Sequence, residues 1–189
     1  QQLNFTATAS DPGDDKLTFS LDRAPLGASL TPEGHFTWTP TTPQIGDHTF
    51  TVMVNDDATP TLSDMEEITV TVEKHTTNLV YFGDSYCDYS DSIAVNATLT
   101  DTVTGALIEG RTVYFSIGAQ SISDDTDASG FAEDNILLEQ QAGSPGVNSV
   151  FYEDGLYLGS MVSEPFTITK ENADAEYTGD THVFTLPDV

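Results

Sequence analysis

Cations are what this chain has least of. Five Lys and Arg stand against 31 Asp and Glu, which leaves a formal net charge of −26 over 189 residues. So few positive side chains cannot track a phosphate backbone, and the field of the chain repels nucleic acid and anionic lipid, so neither is expected as a partner. Cysteine is scarcer still. Cys87 alone permits no internal disulfide, and with the scattered His35, His48, His75 and His182 it offers no zinc-ligand spacing. It sits in the acidic stretch Asp84 to Asp91, where no cation is near in sequence to depress its pKa, and reads as a small buried hydrophobe or an intermolecular thiol. No run of about 18 apolar residues is present, so membrane insertion is not expected. Gln1-Gln2-Leu3 lacks the charged-then-apolar start of a signal peptide, as in an excised or processed piece. Helical periodicity is missing too.

What is present favours strands. Hydrophobic residues make up 38% of the chain, with ten Phe and seven Tyr distributed along it, which is enough apolar material for two modest cores. Leu3-Asn4-Phe5-Thr6-Ala7-Thr8-Ala9 alternates with period two, Asp11 to Asp15 supplies turn residues, and Lys16 to Leu21 resumes the alternation. His35 to Thr39, His48 to Val54 and Ile68 to Val72 keep the same rhythm between Pro, Gly, Asn and Asp. A second set follows: Asn78 to Phe82, Ser92 to Leu99, Thr112 to Ile117, Phe131 to Leu138, Asn148 to Tyr152 and Phe166 to Thr169. Short strands at this spacing predict an all-β chain of two Ig-like β-sandwiches in tandem, 1–74 and 75–170, joined by the short, glycine-free segment Glu73 to Thr77. An internal echo extends the pattern. Thr71-Val72-Glu73-Lys74 followed by Tyr81-Phe82-Gly83-Asp84 is matched by Thr167-Ile168-Thr169-Lys170 followed by Tyr177-Thr178-Gly179-Asp180, with Lys74 and Lys170 lying 96 positions apart. Residues 171–189 therefore read as the start of a further repeat, or as a strand available for donation.

Phe5 to Asp11, Leu17 to Leu21, Ala24 to Leu30 and Phe36-Thr37-Trp38-Thr39-Pro40 resemble a dystroglycan-type cadherin-like (Ig) module of prokaryotic surface proteins. Such modules carry one strand more, before the point where this chain begins. The resemblance therefore implies a first sandwich without its opening strand, whose open edge something should cover. Gly110 to Phe115, Thr126 to Ala132 and Gly155 to Ser160 resemble bacterial Ig-like repeats of adhesins, large extracellular enzymes and surface-layer proteins. Together the resemblances imply an extracellular or cell-surface location and a spacing, adhesive or assembly role. Neighbouring Ig-like modules, or copies of the chain itself, would be the partners, with surface glycans as a further candidate. No reaction is implied.

The strongest chemical candidate is calcium, which needs several oxygens converging from loops on a rigid scaffold. If strands 3–9, 16–21, 48–54 and 65–72 take the second, third, sixth and seventh places of an Ig sheet pair, Asp11, Asp14 and Asp15 share one end with Asn55, Asp56 and Asp57. A weaker loop is Asp125-Thr126-Asp127-Ala128-Ser129-Gly130. It follows the first half of a calcium-loop pattern, but Ile136 stands at the twelfth position and a tight hairpin turn at Gly130 explains it equally. Two sequons, at Asn4 and Asn96, offer glycosylation acceptors in an export pathway.

Leu79 to Tyr86 imitates the Gly-Asp-Ser nucleophile block of GDSL-type esterases, with Ser85 as nucleophile. The late Asp180 and His182 are one residue too close together for that family, and no helices are expected, so the motif reads as a repeated strand-to-loop transition. Trp38, alternating with Thr37 and Thr39, reads as core in preference to a sugar platform. The sequence thus points to a non-enzymatic stalk, spacer or assembly subunit of a repetitive surface protein, able to form filaments by strand donation. A carbohydrate-binding or spacer region of a secreted enzyme is the alternative, and it predicts a row of exposed aromatic side chains beyond the scattered Tyr81, Tyr86, Tyr89, Tyr152 and Tyr157.

Overall fold

The computed structural model describes residues 1–171, 176, 178 and 179. It is built from strands, with a single 3-10 turn at Thr42–Gln44. Among the described residues no helix is long and apolar enough to cross a membrane. Two compact units are formed, one from 1–78 with 99–108 and 151–160, the other from 79–98, 109–150 and the described residues from 161 onward. The proposed third repeat, 171–189, lies almost wholly outside the described residues.

The first sandwich comprises β1 (Leu3–Thr6), β2 (Thr18–Asp22), β3 (Ser29–Leu30), β4 (His35–Trp38), β5 (Gly46–Asn55) and β6 (Ser63–Val72). One sheet has the order β1-β4-β3 and the other β2-β5-β6. This is the Ig arrangement expected from the sequence, with consecutive β1 and β2 in opposite sheets and β1 at a sheet edge. Period-two alternation decides which side chains meet. Phe36 and Trp38 on β4 and Phe50 and Val52 on β5 are buried, while Leu3, Phe5, Phe19, Leu21, Ile68, Val70 and Val72 pack on them only partly covered. The centre is a stack of three rings: Phe5 on Phe36 at 4.5 Å between centroids, and Phe36 on Phe50 at 5.1 Å.

Beyond it run β7 (Thr77–Tyr81), β8 (Tyr86–Asp88), β9 (Ser92–Asp101), β10 (Thr112–Ile117), β11 (Gln120–Asp125), β12 (Phe131–Leu137), β13 (Val147–Phe151), β14 (Ser160–Glu164) and β15 (Thr167–Thr169). Their sheets are β12-β9-β7 and β11-β10-β13-β14, with a parallel pair β15-β8. Ile93, Val95 and Ala97 of β9, Val113, Phe115 and Ile117 of β10, and Val147 of β13 are buried by strand alternation. The sequence reading omits β3, β8, β11 and β14 and extends β1 to residue 9 where it stops at Thr6. Gln120-Ser121-Ile122-Ser123-Asp124-Asp125 has one apolar residue, so pairing with β10 at a sheet edge, not a hydrophobic pattern, makes it a strand.

The Gly-Asp-Ser motif is structural. After β7 the chain stays bonded to β9 through Phe82 N–H to Asn96 O and Asp84 N–H to Ala94 O, and the Asp84 carboxylate accepts from Ala94 N–H at 2.8 Å. The Tyr81 hydroxyl donates to Asp84 O at 2.8 Å, and burial followed by the Asp84 charge pushes that phenol up to about 12. A Cβ on Gly83 would lie 2.4 Å from the Tyr81 hydroxyl and 2.6 Å from Ala94 O, so the close approach demands glycine. Gly83→Ala is expected to destabilise this sandwich by about 1–3 kcal/mol through a forced shift of the β7–β8 connection. Urea unfolding measures it, and an unchanged midpoint would show that the connection yields freely.

Candidate functional site

The loops β1–β2 and β5–β6 meet at one end of the first sandwich and carry the acidic residues singled out in the sequence. In the first loop Asp11 folds the chain around its own carboxylate, which accepts from Gly13 N–H at 2.6 Å and Asp15 N–H at 3.3 Å. In the second, Asp56 is 8% exposed and accepts from Leu62 N–H at 2.8 Å and Ala58 N–H at 3.3 Å. Asp57 joins the two, its carboxylate accepting from Lys16 N–H at 2.9 Å.

The result is a cluster in which Asp11, Asp15 and Asp56 each offer a carboxylate oxygen within 4.8 Å of the others. A Cβ at position 13 would stand 2.9 Å from an Asp15 carboxylate oxygen and 3.0 Å from Asp11 Oδ1, so Gly13 leaves the space those carboxylates occupy. Like charges crowd there. Asp15's carboxyl is raised above the usual range, first by partial desolvation and then by the charges of Asp11, Asp56 and Asp57. Three carboxylates at this separation match the all-oxygen, flexible coordination of a hard cation such as calcium. Asn55 and Asp14 are turned to other uses. Asn55 Oδ1 accepts from the Ser63 hydroxyl at 2.6 Å, and Asp14 holds a left-handed turn at φ 61°.

At the weaker loop, Asp127 closes a hairpin. Its Oδ1 accepts from Ser129 N–H at 2.8 Å, the Ser129 hydroxyl at 2.7 Å and Phe131 N–H at 3.0 Å, while Gly130 takes φ 68°. Those donors hold its carboxyl below the usual range, the Ser129 hydroxyl contributing most. Asp125, the last residue of β11, accepts from the Thr112 hydroxyl at 2.5 Å. Neither joins a metal-competent group among the described residues.

The other sequence candidates are placed as follows. Trp38 is 1% exposed and donates its indole N–H to Leu26 O at 3.2 Å, so it is core and presents no face to a sugar. Cys87 is buried and free, its thiol raised first by desolvation and then by Asp91, Asp88 and Asp84. Asn4 is exposed on β1, whereas Asn96 Oδ1 is buried on β9 without a hydrogen-bond partner among the described residues. Ser85 accepts at its carbonyl from Thr167 N–H, and Asp180 and His182 lie outside the described residues.

Sequence reasoning missed one buried polar centre in the first unit. Asp101, 2% exposed, accepts from Val103 N–H at 2.8 Å, Thr104 N–H at 3.2 Å and His75 Nδ1 at 2.6 Å. Desolvation pushes its carboxyl up, but the bonds from His75, Thr104 and Val103 outweigh it and bring it down to about 2. His75 is further held by its backbone, N–H to Leu156 O and O from Leu158 N–H, and edge-on by the Tyr157 ring at 5.9 Å. Beside it Lys74 Nζ donates to Glu153 at 2.9 Å and to Asp154 O at 2.7 Å. The turn-forming run Asp101-Thr102-Val103-Thr104-Gly105 hinted at the carboxylate's role, but nothing in sequence couples it to His75.

With the fold and this geometry in place, comparison with known proteins is informative for the first sandwich. Residues 1–73 match the family described as "Putative Ig domain". Solved structures to which the chain aligns include human protocadherin-24 EC1-2, at 13% identity, TM-score 0.36 and coverage of 89% of this chain and 88% of that one. The amphioxus IgVJ-C2 molecule aligns at 9% identity and TM-score 0.36 over 88% of this chain and 96% of its own. Mouse cadherin-23 EC22-24 aligns at 14% identity and TM-score 0.38 over 89% of this chain and 59% of its own. No curated protein matches the sequence.

Proposed function

We propose that the chain is a non-enzymatic structural and adhesive part of a repetitive extracellular protein, its sandwiches 1–74 and 75–170 serving as stalk, spacer or assembly modules. Calcium held at the loop end of the first sandwich would stiffen it. The observation that carries this reading is the convergence of Asp11, Asp15 and Asp56 within 4.8 Å from two separate loops of an Ig-like module. Three negative charges at one spot repel without a cation and become ligands with one. Asp57 extends the negative surface while tying the loops together.

Thermal unfolding in millimolar calcium, against magnesium at matched ionic strength, tests the proposal. Calcium at about a hundred times its Kd should add about 2.7 kcal/mol of stability to the first sandwich. Asp15→Asn separates the two states of the site. With chelator it should melt slightly higher than wild type, because it removes a like charge, and in calcium it should lose the added stability. A raised carboxyl is destabilising when ionised, so chelated wild type should also gain stability as pH falls from neutral toward Asp15's own titration, a gain the variant lacks. Equal responses to calcium and magnesium in wild type and variant would remove the cation site and leave the carboxylates as a solvated acidic coat.

A further inference from the structure

The first sandwich is apolar on one flank that no strand covers among the described residues. Two of its four sheet edges, β1 and β6, are unpaired among the described residues and border a groove of about 320 Å³ whose floor includes Phe5, Phe19, Val52 and Val54. Along this flank Phe5, Phe19 and Ile68 are only partly buried beside the core residues Phe36, Trp38, Phe50 and Val52. Bare edges beside an apolar floor are what an added strand requires: backbone donors and acceptors for a ladder, and a surface for alternate side chains.

The chemistry of the groove changes along β6. Ile68, Val70 and Val72 point inward, and strand alternation places Asp64 and Glu66 on that same face, in register with Val54 and Val52 of β5. A strand running parallel to β6 would therefore meet acid first and hydrocarbon afterwards. One segment of this chain outside the described residues has that order: in Thr181-His182-Val183-Phe184-Thr185-Leu186, alternate positions read His182, Phe184, Leu186, and the segment carries no Asp or Glu in a chain with 31 of them.

We propose that the groove between β1 and β6 is a strand-acceptor site, filled by Thr181–Leu186 of a second copy running parallel to β6, with His182 at Asp64 and Glu66, Phe184 at Ile68 and Leu186 at Val70. The proposal rests on the assembly reading above and gives it a contact surface. Head-to-tail donation of this kind is heterologous, so it builds chains of copies, open unless the rotation between copies closes a ring.

Light-scattering mass of the full chain across a concentration series tests it. Wild type should grow into multiples of 20.3 kDa, and Phe184→Asp with Leu186→Asp should stay at that mass. A synthetic Thr181–Val189 peptide in excess should dissolve wild-type assemblies and raise the melting temperature of the double variant. His182→Glu should weaken assembly at least tenfold by setting like charge on Glu66, and Glu66→Lys in the same chain should restore it. Circular dichroism confirms that each variant is folded. Wild type that stays monomeric at all concentrations, a double variant that assembles unchanged, or charge reversal without rescue would each overturn the proposal. A monomer destabilised by the double substitution would overturn it too, placing the segment in its own chain's groove. None of these outcomes alters the calcium response, so failure here is distinct from failure of the stalk reading.

Discussion

Phe36→Ala is expected to cost about 3–5 kcal/mol and to leave the first sandwich largely unfolded. The size of the effect follows from how little else holds that core. Phe36 is the middle ring of the Phe5–Phe36–Phe50 stack and one of the four buried residues of this core, the others being Trp38, Phe50 and Val52. Its removal leaves a cavity that β4 cannot collapse into, because Leu3 to Thr6 and Ser29-Leu30 hold that strand on both sides. Domains of this size are stable by only about 5–15 kcal/mol, so a loss of this order consumes much of the margin. Trp38 supplies the readout. It is the one tryptophan of the chain and is 1% exposed, so unfolding shifts its emission to the red. Emission and melting unchanged from wild type would show that the ring stack is not the core of the module.

Asp101→Ala should be nearly as damaging, on the order of 3 kcal/mol, for a different reason. The carboxylate, 2% exposed, satisfies Val103 N–H, Thr104 N–H and the His75 imidazole, and its loss removes all three bonds. The same group gives the chain an acid limit. Although burial works against ionisation, the bonds from His75, Thr104 and Val103 bring the folded carboxyl to about 2 against an ordinary 3.8. A depressed carboxyl stabilises the fold fully above its unfolded value and loses that contribution as pH falls through the folded one. Stability should therefore decline between about pH 4 and pH 2. Asp101→Asn should be less stable at neutral pH and flatter across that window, and denaturant midpoints at several pH values measure both. An acid limb as steep as wild type's would assign it to other carboxylates.

The all-β architecture was legible because most strands bury one face, and burial writes a period of two into residues such as Ile93, Val95, Ala97 and Leu99. Strands at sheet edges or held by few pairs left no such record. β11 is polar and exists through its pairing with β10, while β8 and β15 depend on each other across the length of a module. The acidic cluster was half legible for a similar reason. Loop order placed Asp11, Asp15 and Asp56 at one end, but backbone conformation and a neighbouring hydroxyl drew Asp14 and Asn55 elsewhere. Asp101 shows the limit. Its charge is visible in the sequence and its partner is not, because a hydrogen bond between residues 26 positions apart is a property of the folded chain.

The parallel pairing of β15 with β8 has a consequence for how the chain bears load. Thr167, Ile168 and Thr169 lie beside Tyr86, Cys87 and Asp88 in the same direction, one strand early in the module and the other late. A pull on the two ends of that module drags these strands past each other along their length, so their ladder bonds are sheared together, whereas an antiparallel hairpin pulled at its open end would unzip them one by one. Tension entering from the C-terminal side meets this short clasp first, whereas from the N-terminal side it meets β7, held in the β12-β9-β7 sheet.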